Sequence, residues 1–292
     1  MKYLFFDLID TIVKVPEEDE KKNFLKYHNI LEGDSYDWLV AGFAQALFAK
    51  ETGIPFNNLR DYYLTNSFGT IEDMVYAAEN ISSTNKINLN TIDFTKKYTN
   101  FLIDNSKAYP ETHNVLSFLK SKGYELYLVS NLMTPYKRII NNLKLSKYFK
   151  KTILSCDVGF RKPDKRMFEL ALNGAKVSAN NSIFIGDNWI SDVLGSLQLN
   201  MDPIYINRKK YSIPNYLMTN GLNGLLEVHQ GKARFKEKYK AILSEFIPDD
   251  INSIENKIEE HLYKDSNGVI RLRSLYNVKY INDISELIKL LV

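Results

Sequence analysis

Short apolar runs that stop on polar residues punctuate this chain. Tyr3-Leu4-Phe5-Phe6 ends at Asp7, Leu126-Tyr127-Leu128-Val129 ends at Ser130-Asn131, and Ser182-Ile183-Phe184-Ile185 ends at Gly186-Asp187-Asn188, with Asp192 five residues further on. Thr152-Ile153-Leu154 is a further apolar run, and Gly159-Phe160-Arg161-Lys162-Pro163 lies between it and the last. Runs of this length, alternating with helical patterns, predict buried parallel strands in βαβ units. Ligands of open parallel sheets bind outside the carboxyl ends of the strands. The pattern therefore delivers Asp7, Ser130 and Asp187 to one edge of one sheet.

Between Thr11 and Pro110 the strand alternation disappears. The spacing predicts a helix over Asp37–Lys50, built on Trp38, Ala41, Gly42, Gln45 and Phe48, and further helices over Ile71–Ala78 and Phe94–Ile103. Turns are predicted at Gly53-Ile54-Pro55 and Ile81-Ser82-Ser83. Beyond Arg208, Ala233–Ile247 and Asp249–Leu262 read as amphipathic helices, with Phe235, Tyr239, Ile242 and Phe246 along one and Ile251, Ile254, Ile258 and Leu262 along the other. Gly268–Leu272 reads as a short strand after an Asn-Gly turn, and Ile281–Leu291 as a closing helix. A stripe of that size over 233–262 has to be covered, either by the chain's own core or by a second chain or protein partner.

Taken in order, the polar strand ends resemble the motifs of the haloacid dehalogenase-like superfamily. They are Asp7-Leu8-Ile9-Asp10-Thr11, Ser130-Asn131, Lys162-Pro163 and Gly186-Asp187 with Asp192. The resemblance covers residues 1–13 and 108–208 and implies a Rossmann-like, doubly wound α/β core over 1–13 and 108–210. It implies an all-helical cap over 14–107, leaving 211–292 as a mostly helical extension, partly packed on the core. It also implies hydrolysis of a small phosphorylated molecule through an aspartyl-phosphate on Asp7, with Ser130 and Asn131 at the phosphoryl oxygens and Lys162 offsetting charge. Mg²⁺ would be held by Asp7, the backbone carbonyl of Ile9, Asp187 and Asp192.

One position departs from the pattern. The family's phosphatases carry a second Asp two residues after the nucleophile, and here that residue is Ile9. The spacing from Asp7 to Thr11 is unchanged, so Asp10 does not slide into the role. A backbone carbonyl survives the change, but the general acid for an alcohol leaving group does not. Such acid–base help is worth about 10²–10⁴-fold, or roughly 3–5 kcal/mol of barrier. The expectation is an enzyme weak on alkyl phosphates. Two alternatives stand beside it: a catalytically impaired protein that senses a phosphorylated ligand or binds a protein, and a 2-haloacid dehalogenase. Dehalogenases of this family generally lack the metal-binding pair that Asp187 and Asp192 supply here, which favours phosphoryl chemistry.

Composition narrows the field without choosing within it. A net charge of +3 with no long basic run argues against nucleic acid. The single Cys156 excludes an internal disulfide framework and suits a reducing compartment. No run approaches the roughly 18–20 apolar residues of a membrane span. The N-terminus enters the first strand directly, so the expectation is a cytoplasmic protein. His28, His113, His229 and His261 lack ligand spacing and read as structural or surface residues.

Overall fold

The computed structural model describes residues 3–82, 86–208 and 278–292, together with the backbone of 262–264 and 270–272. At its centre are β1 (Tyr3–Phe6), β4 (Glu125–Ser130), β5 (Lys151–Leu154), β6 (Ser182–Gly186), β7 (Asp202–Ile206) and β10 (Lys279–Ile281). They form one parallel sheet in the order β10-β7-β6-β1-β4-β5. β1 pairs with β4 on one side and β6 on the other, with Phe6 opposite both Leu128 and Ile185. The strand order reverses at β1, which makes its carboxyl end the switch point where such sheets open a crevice.

Alternate residues of β1 face opposite layers, as the two-residue period of a strand requires. Leu4 and Phe6 join Leu116 and Leu119 of α7 (Thr112–Ser121), Ile139 of α8 (Lys137–Asn142) and Leu287 of the closing helix Glu286–Leu291. Phe5 joins Tyr127, Val129, Phe184 and the inner face of α10 (Lys165–Ala175). Both faces are covered, which explains why these strands read as continuous apolar runs.

The insertion between β1 and β4 is helical: α1 (Glu18–Tyr27), α2 (Asp34–Val40), α3 (Ala46–Thr52), α4 (Phe56–Thr65), α5 (Ile71–Ser82) and α6 (Leu89–Asn105). It has apolar clusters of its own, one around Phe48, Tyr63 and Met74 and one around Leu25, Leu39 and Tyr98. Met133, just beyond β4, enters the first cluster. The chain enters and leaves this insertion through a two-stranded antiparallel ribbon, β2 (Val13–Lys14) with β3 (Lys107–Ala108). Neither ribbon strand, nor β7, nor β10 is anticipated by the sequence pattern.

Two helical expectations are corrected. The helix expected over Asp37–Lys50 is two helices, because Gly42 adopts φ +97°, a left-handed conformation no α-helix continues through. The closing helix begins at Glu286 rather than Ile281, since Ile281 ends the sixth strand, opposite Ile206 of β7. Of the distal elements, β8 (Leu262–Lys264) pairs antiparallel with β9 (Ile270–Leu272), in line with the expected short strand. The helices expected at 233–247 and 249–261 lie outside the described residues, as does any surface they would form; Leu262, counted with the second, opens β8 instead.

Candidate active site

Asp7 follows β1 directly, and its backbone N–H still donates to Ile185 O at 2.9 Å, so the carboxylate is held by the sheet itself. The next residues close a tight loop, with Ile12 and Val13 N–H both donating to Leu8 O at 3.0 and 2.9 Å. Asp10 sits at its left-handed position, φ +59°, which Asp tolerates better than most residues. Arg208, just past β7, clamps this loop by donating twice to Thr11 O, at 2.8 and 3.1 Å. Its guanidinium also pairs with Glu111 at 2.6 Å and stacks 3.6 Å from the Tyr109 ring centroid.

Lys162 is the electrostatic centre. It is buried, with Nζ donating to Asp7 Oδ1 at 2.7 Å and to Asp192 Oδ1 at 2.6 Å. Burial disfavours its charged form, but the Asp192 and Asp7 carboxylates outweigh that, and its pKa is raised. Burial pushes the Asp192 carboxyl up to about 6 against the pull of Lys162, with the charge on Asp7 acting in the same direction as burial. Asn131 fixes the lysine from behind: its side-chain amide donates to Lys162 O and its Oδ1 accepts from Lys162 N–H, both at 2.8 Å. The Asn131 side chain is therefore engaged with the lysine loop, while Ser130 is buried at the end of β4.

Asp192 lies in a widened helical turn, Trp189–Leu194, where Val193 N–H reaches back five residues to Asn188 O at 3.3 Å. Such π turns recur at functional sites. Asp192 Oδ2 accepts from Asn188 N–H at 3.0 Å. Gly186 makes this possible, since a Cβ there would stand 2.3 Å from Asp192 Oδ2. Thr11 donates to Asp187 Oδ1 at 3.4 Å, joining the first and last loops.

Carboxylate oxygens of Asp7, Asp187 and Asp192 all lie within 4.8 Å of one another. Opposite ligands of an octahedral hard cation stand about 4 Å apart, so this oxygen-only set suits a divalent cation with small adjustment. The cluster opens into a cavity of about 290 Å³. Ile9, Asp10, Ser130, Asn131 and Lys162 line it from the core, and Lys21, Gly42, Phe43 and Arg60 from the helical insertion. Burial pushes the Tyr136 phenol on the same wall up to about 12, leaving it a neutral donor, 3.5 Å from Gly42 O. All the residues expected at the site meet in this one region. Arg208, Lys21 and Arg60 carry no sequence motif that would have selected them, whereas Thr11 and Gly186 stand inside the first and last motifs without having been expected to serve the site.

The sequence pattern of haloacid dehalogenase-like hydrolases matches residues 1–199. The chain belongs to this family. Among similar haloacid dehalogenase-like proteins, the glyceraldehyde 3-phosphate phosphatase of Methanothermobacter thermautotrophicus is 34% identical over 103 residues, 35% of this chain and 45% of that protein. The chain thus matches less than half the length of that relative. The phosphatase of the same name from Pyrococcus abyssi is 26% identical over 214 residues, 72% of this chain and 83% of the other. The L-2-haloacid dehalogenase of Xanthobacter autotrophicus shares the fold, with a TM-score of 0.51 and 11% identity over 99% of this chain and 98% of that one. Among the described residues, no helix is long and apolar enough to cross a membrane.

Proposed function

We propose that this haloacid dehalogenase-like hydrolase is a phosphatase that works through Asp7. The observation that carries the reading is the Asp7 carboxylate at the sheet's switch point, bonded to buried Lys162 and grouped with Asp187 and Asp192 at the floor of a cavity. The two similar phosphatases named above support a small phosphorylated substrate.

Asp7 attacks phosphorus, the bond from phosphorus to the leaving oxygen breaks, and that oxygen departs with the electron pair. Water then attacks the aspartyl-phosphate and frees the Asp7 carboxylate and inorganic phosphate. Ser130 and neighbouring backbone N–H groups hold the phosphoryl oxygens, and Lys162 bridges the Asp7 and Asp192 carboxylates and offsets their negative charge. The Asn131 side chain positions Lys162, while its backbone N–H, next to Ser130, is one of those that face the phosphoryl oxygens. Asp7, Asp187 and the Ile9 carbonyl would hold Mg²⁺, with Asp192 completing the set directly or through a water. When bound, the ion neutralises charge on the phosphoryl oxygens.

Ile9 lines the cavity and packs against the core, and its side chain can neither give nor take a proton. Substrates whose leaving group needs no proton are therefore preferred. Acetyl phosphate and aryl phosphates should turn over far faster than a sugar phosphate, and Ile9→Asp should raise the sugar phosphate rate most. Asp10 lines the same cavity, and Asp10→Asn tests it as a substitute acid. If neither wild type nor Ile9→Asp hydrolyses any of them while a phosphorylated ligand still raises the melting temperature, the protein is a ligand sensor instead.

A further inference from the structure

The cavity that opens at Asp7 has two unlike parts. Its floor is polar: Asp7, Asp10, Ser130, Lys162, Asp187 and Asp192 all come from the carboxyl edge of the sheet and its loops. The rest of its wall is largely apolar. Val15, Ala41, Phe43, Leu64 and Leu102 line it from the helical insertion, and Leu132, Met133 and Ile139 from the segment after β4. The Tyr136 ring stands where these meet, packed against the core cluster and both clusters of the insertion. The polar groups among them are already engaged. Tyr136 has its hydroxyl 3.5 Å from Gly42 O, and Ser106 Oγ donates to Leu102 O at 2.7 Å. Arg60 holds its guanidinium carbon 4.7 Å from the Phe43 ring centroid, and Lys21 likewise interacts within the chain. Among the described residues, the insertion sends no carboxylate, carboxamide or imidazole to the cavity.

A sugar or polyol seated against such a wall would bury hydroxyls without partners, and each unpaired hydroxyl costs binding. An apolar group gains there by leaving water. Ile9 adds a condition from the chemical side, since its side chain cannot protonate a departing oxygen. One kind of leaving group meets both conditions at once: a phenol, whose ring is apolar and whose oxygen departs as a stabilised phenolate. We infer that the substrate is a phosphate monoester of a phenol, with its ring seated against Phe43, Leu64, Leu102 and Met133. Substituents on the ring are apolar as well, because the wall offers a hydroxyl nothing to bond. The inference rests on phosphoryl transfer at Asp7, and its test separates the two.

The probes are 4-ethylphenyl phosphate and 4-(hydroxymethyl)phenyl phosphate, which share a shape and leave as phenolates of nearly equal basicity. They differ in a methyl or a hydroxyl at the far end. An apolar pocket discriminates against such a hydroxyl by about ten- to a hundredfold, so kcat/KM should favour the ethyl probe on that order, chiefly through KM. Leu64→Asn and Met133→Gln place an amide in the wall at similar volume and should each draw the ratio toward one, with melting temperatures identifying the variants that fold. Equal kcat/KM in wild type, or a ratio untouched in the folded variants, overturns the apolar site and leaves the phosphatase reading standing. If neither variant folds, the wild-type ratio decides alone. 2-Phenylethyl phosphate keeps the ring but leaves as an alkoxide; its kcat should fall far below that of the ethyl probe, and an equal kcat overturns the phenol assignment. If no probe is hydrolysed, the phosphatase reading fails, and calorimetry with the matching 4-ethyl and 4-(hydroxymethyl) benzylphosphonates decides the apolar site by itself. Tighter binding of the ethyl phosphonate upholds it; equal affinity overturns it.

Discussion

At the scale of single residues, the site depends on close approaches that few side chains permit. Gly186→Ala would force a methyl group into Asp192, whose Oδ2, Cγ and Cβ lie 2.3, 2.4 and 2.6 Å from the new carbon. Overpacking of this kind typically costs about 1–3 kcal/mol. The expected outcome is a lower melting temperature together with loss of divalent-cation binding in titration calorimetry; a variant with wild-type cation affinity would show that the Asp192 position is not critical. Lys162→Met leaves two buried carboxylates facing each other, and breaking a buried pair in this way costs on the order of 3–5 kcal/mol. Denaturant unfolding should register that loss even before activity is assayed. Asp7, Ser130, Lys162 and Asp187 were legible in the sequence because each ends an apolar run or sits in a motif at fixed order. Lys21 and Arg60 were not, because they reach the cavity from separate helices of the insertion, a meeting of segments that no periodicity encodes.

At the scale of elements, α10 shows how the loop carrying Lys162 is anchored. Asp164 caps the helix, accepting from Arg166 N–H at 2.9 Å, and its carboxylate also pairs with the Arg166 side chain. The Arg166 hydrogen bond holds the Asp164 pKa below its ordinary value. A depressed carboxyl pKa contributes stability that is complete above the unfolded Asp range and is lost as pH falls through the folded value. Asp164→Ala should therefore destabilise by about 1 kcal/mol near neutrality, and the difference from wild type should vanish in strongly acidic buffer. A gap in melting temperature that persists below that range would assign the effect to helix propensity instead of the cap charge. Strands β1, β4, β5 and β6 were readable because burial on both faces makes them continuously apolar. β7 carries Pro203 and starts at Asp202, and β10 is only three residues long, so neither has enough pattern to declare itself. The helix read through Gly42 failed because periodicity records side-chain spacing and is blind to a backbone turn.

At the scale of the whole molecule, cation binding and the clamp on the first loop can both be followed by stability. A ligand that binds only the folded state at a hundredfold excess over its Kd stabilises by about 2.7 kcal/mol. Mg²⁺ should raise the melting temperature of wild type accordingly and leave Asp187→Asn unmoved; no shift in wild type would remove the metal from the proposed chemistry. Arg208→Met should lower stability by about 1–3 kcal/mol through the unsatisfied Thr11 carbonyl and Glu111, and slow turnover of the best substrate as the loop after Asp7 loosens. Unaltered kinetics would confine Arg208 to the fold. The ribbon of β2 and β3 has a different consequence. Val13 stands opposite Ala108 and Lys14 opposite Lys107, so the chain departs from the core and returns to it at adjacent points. Antiparallel neighbours need only a two-residue Asn-Gly hairpin to join them. Everything between those two strands is thus a cartridge on a single socket, which can be shortened, enlarged or exchanged for another while Asp7 and its neighbours stay where the sheet holds them.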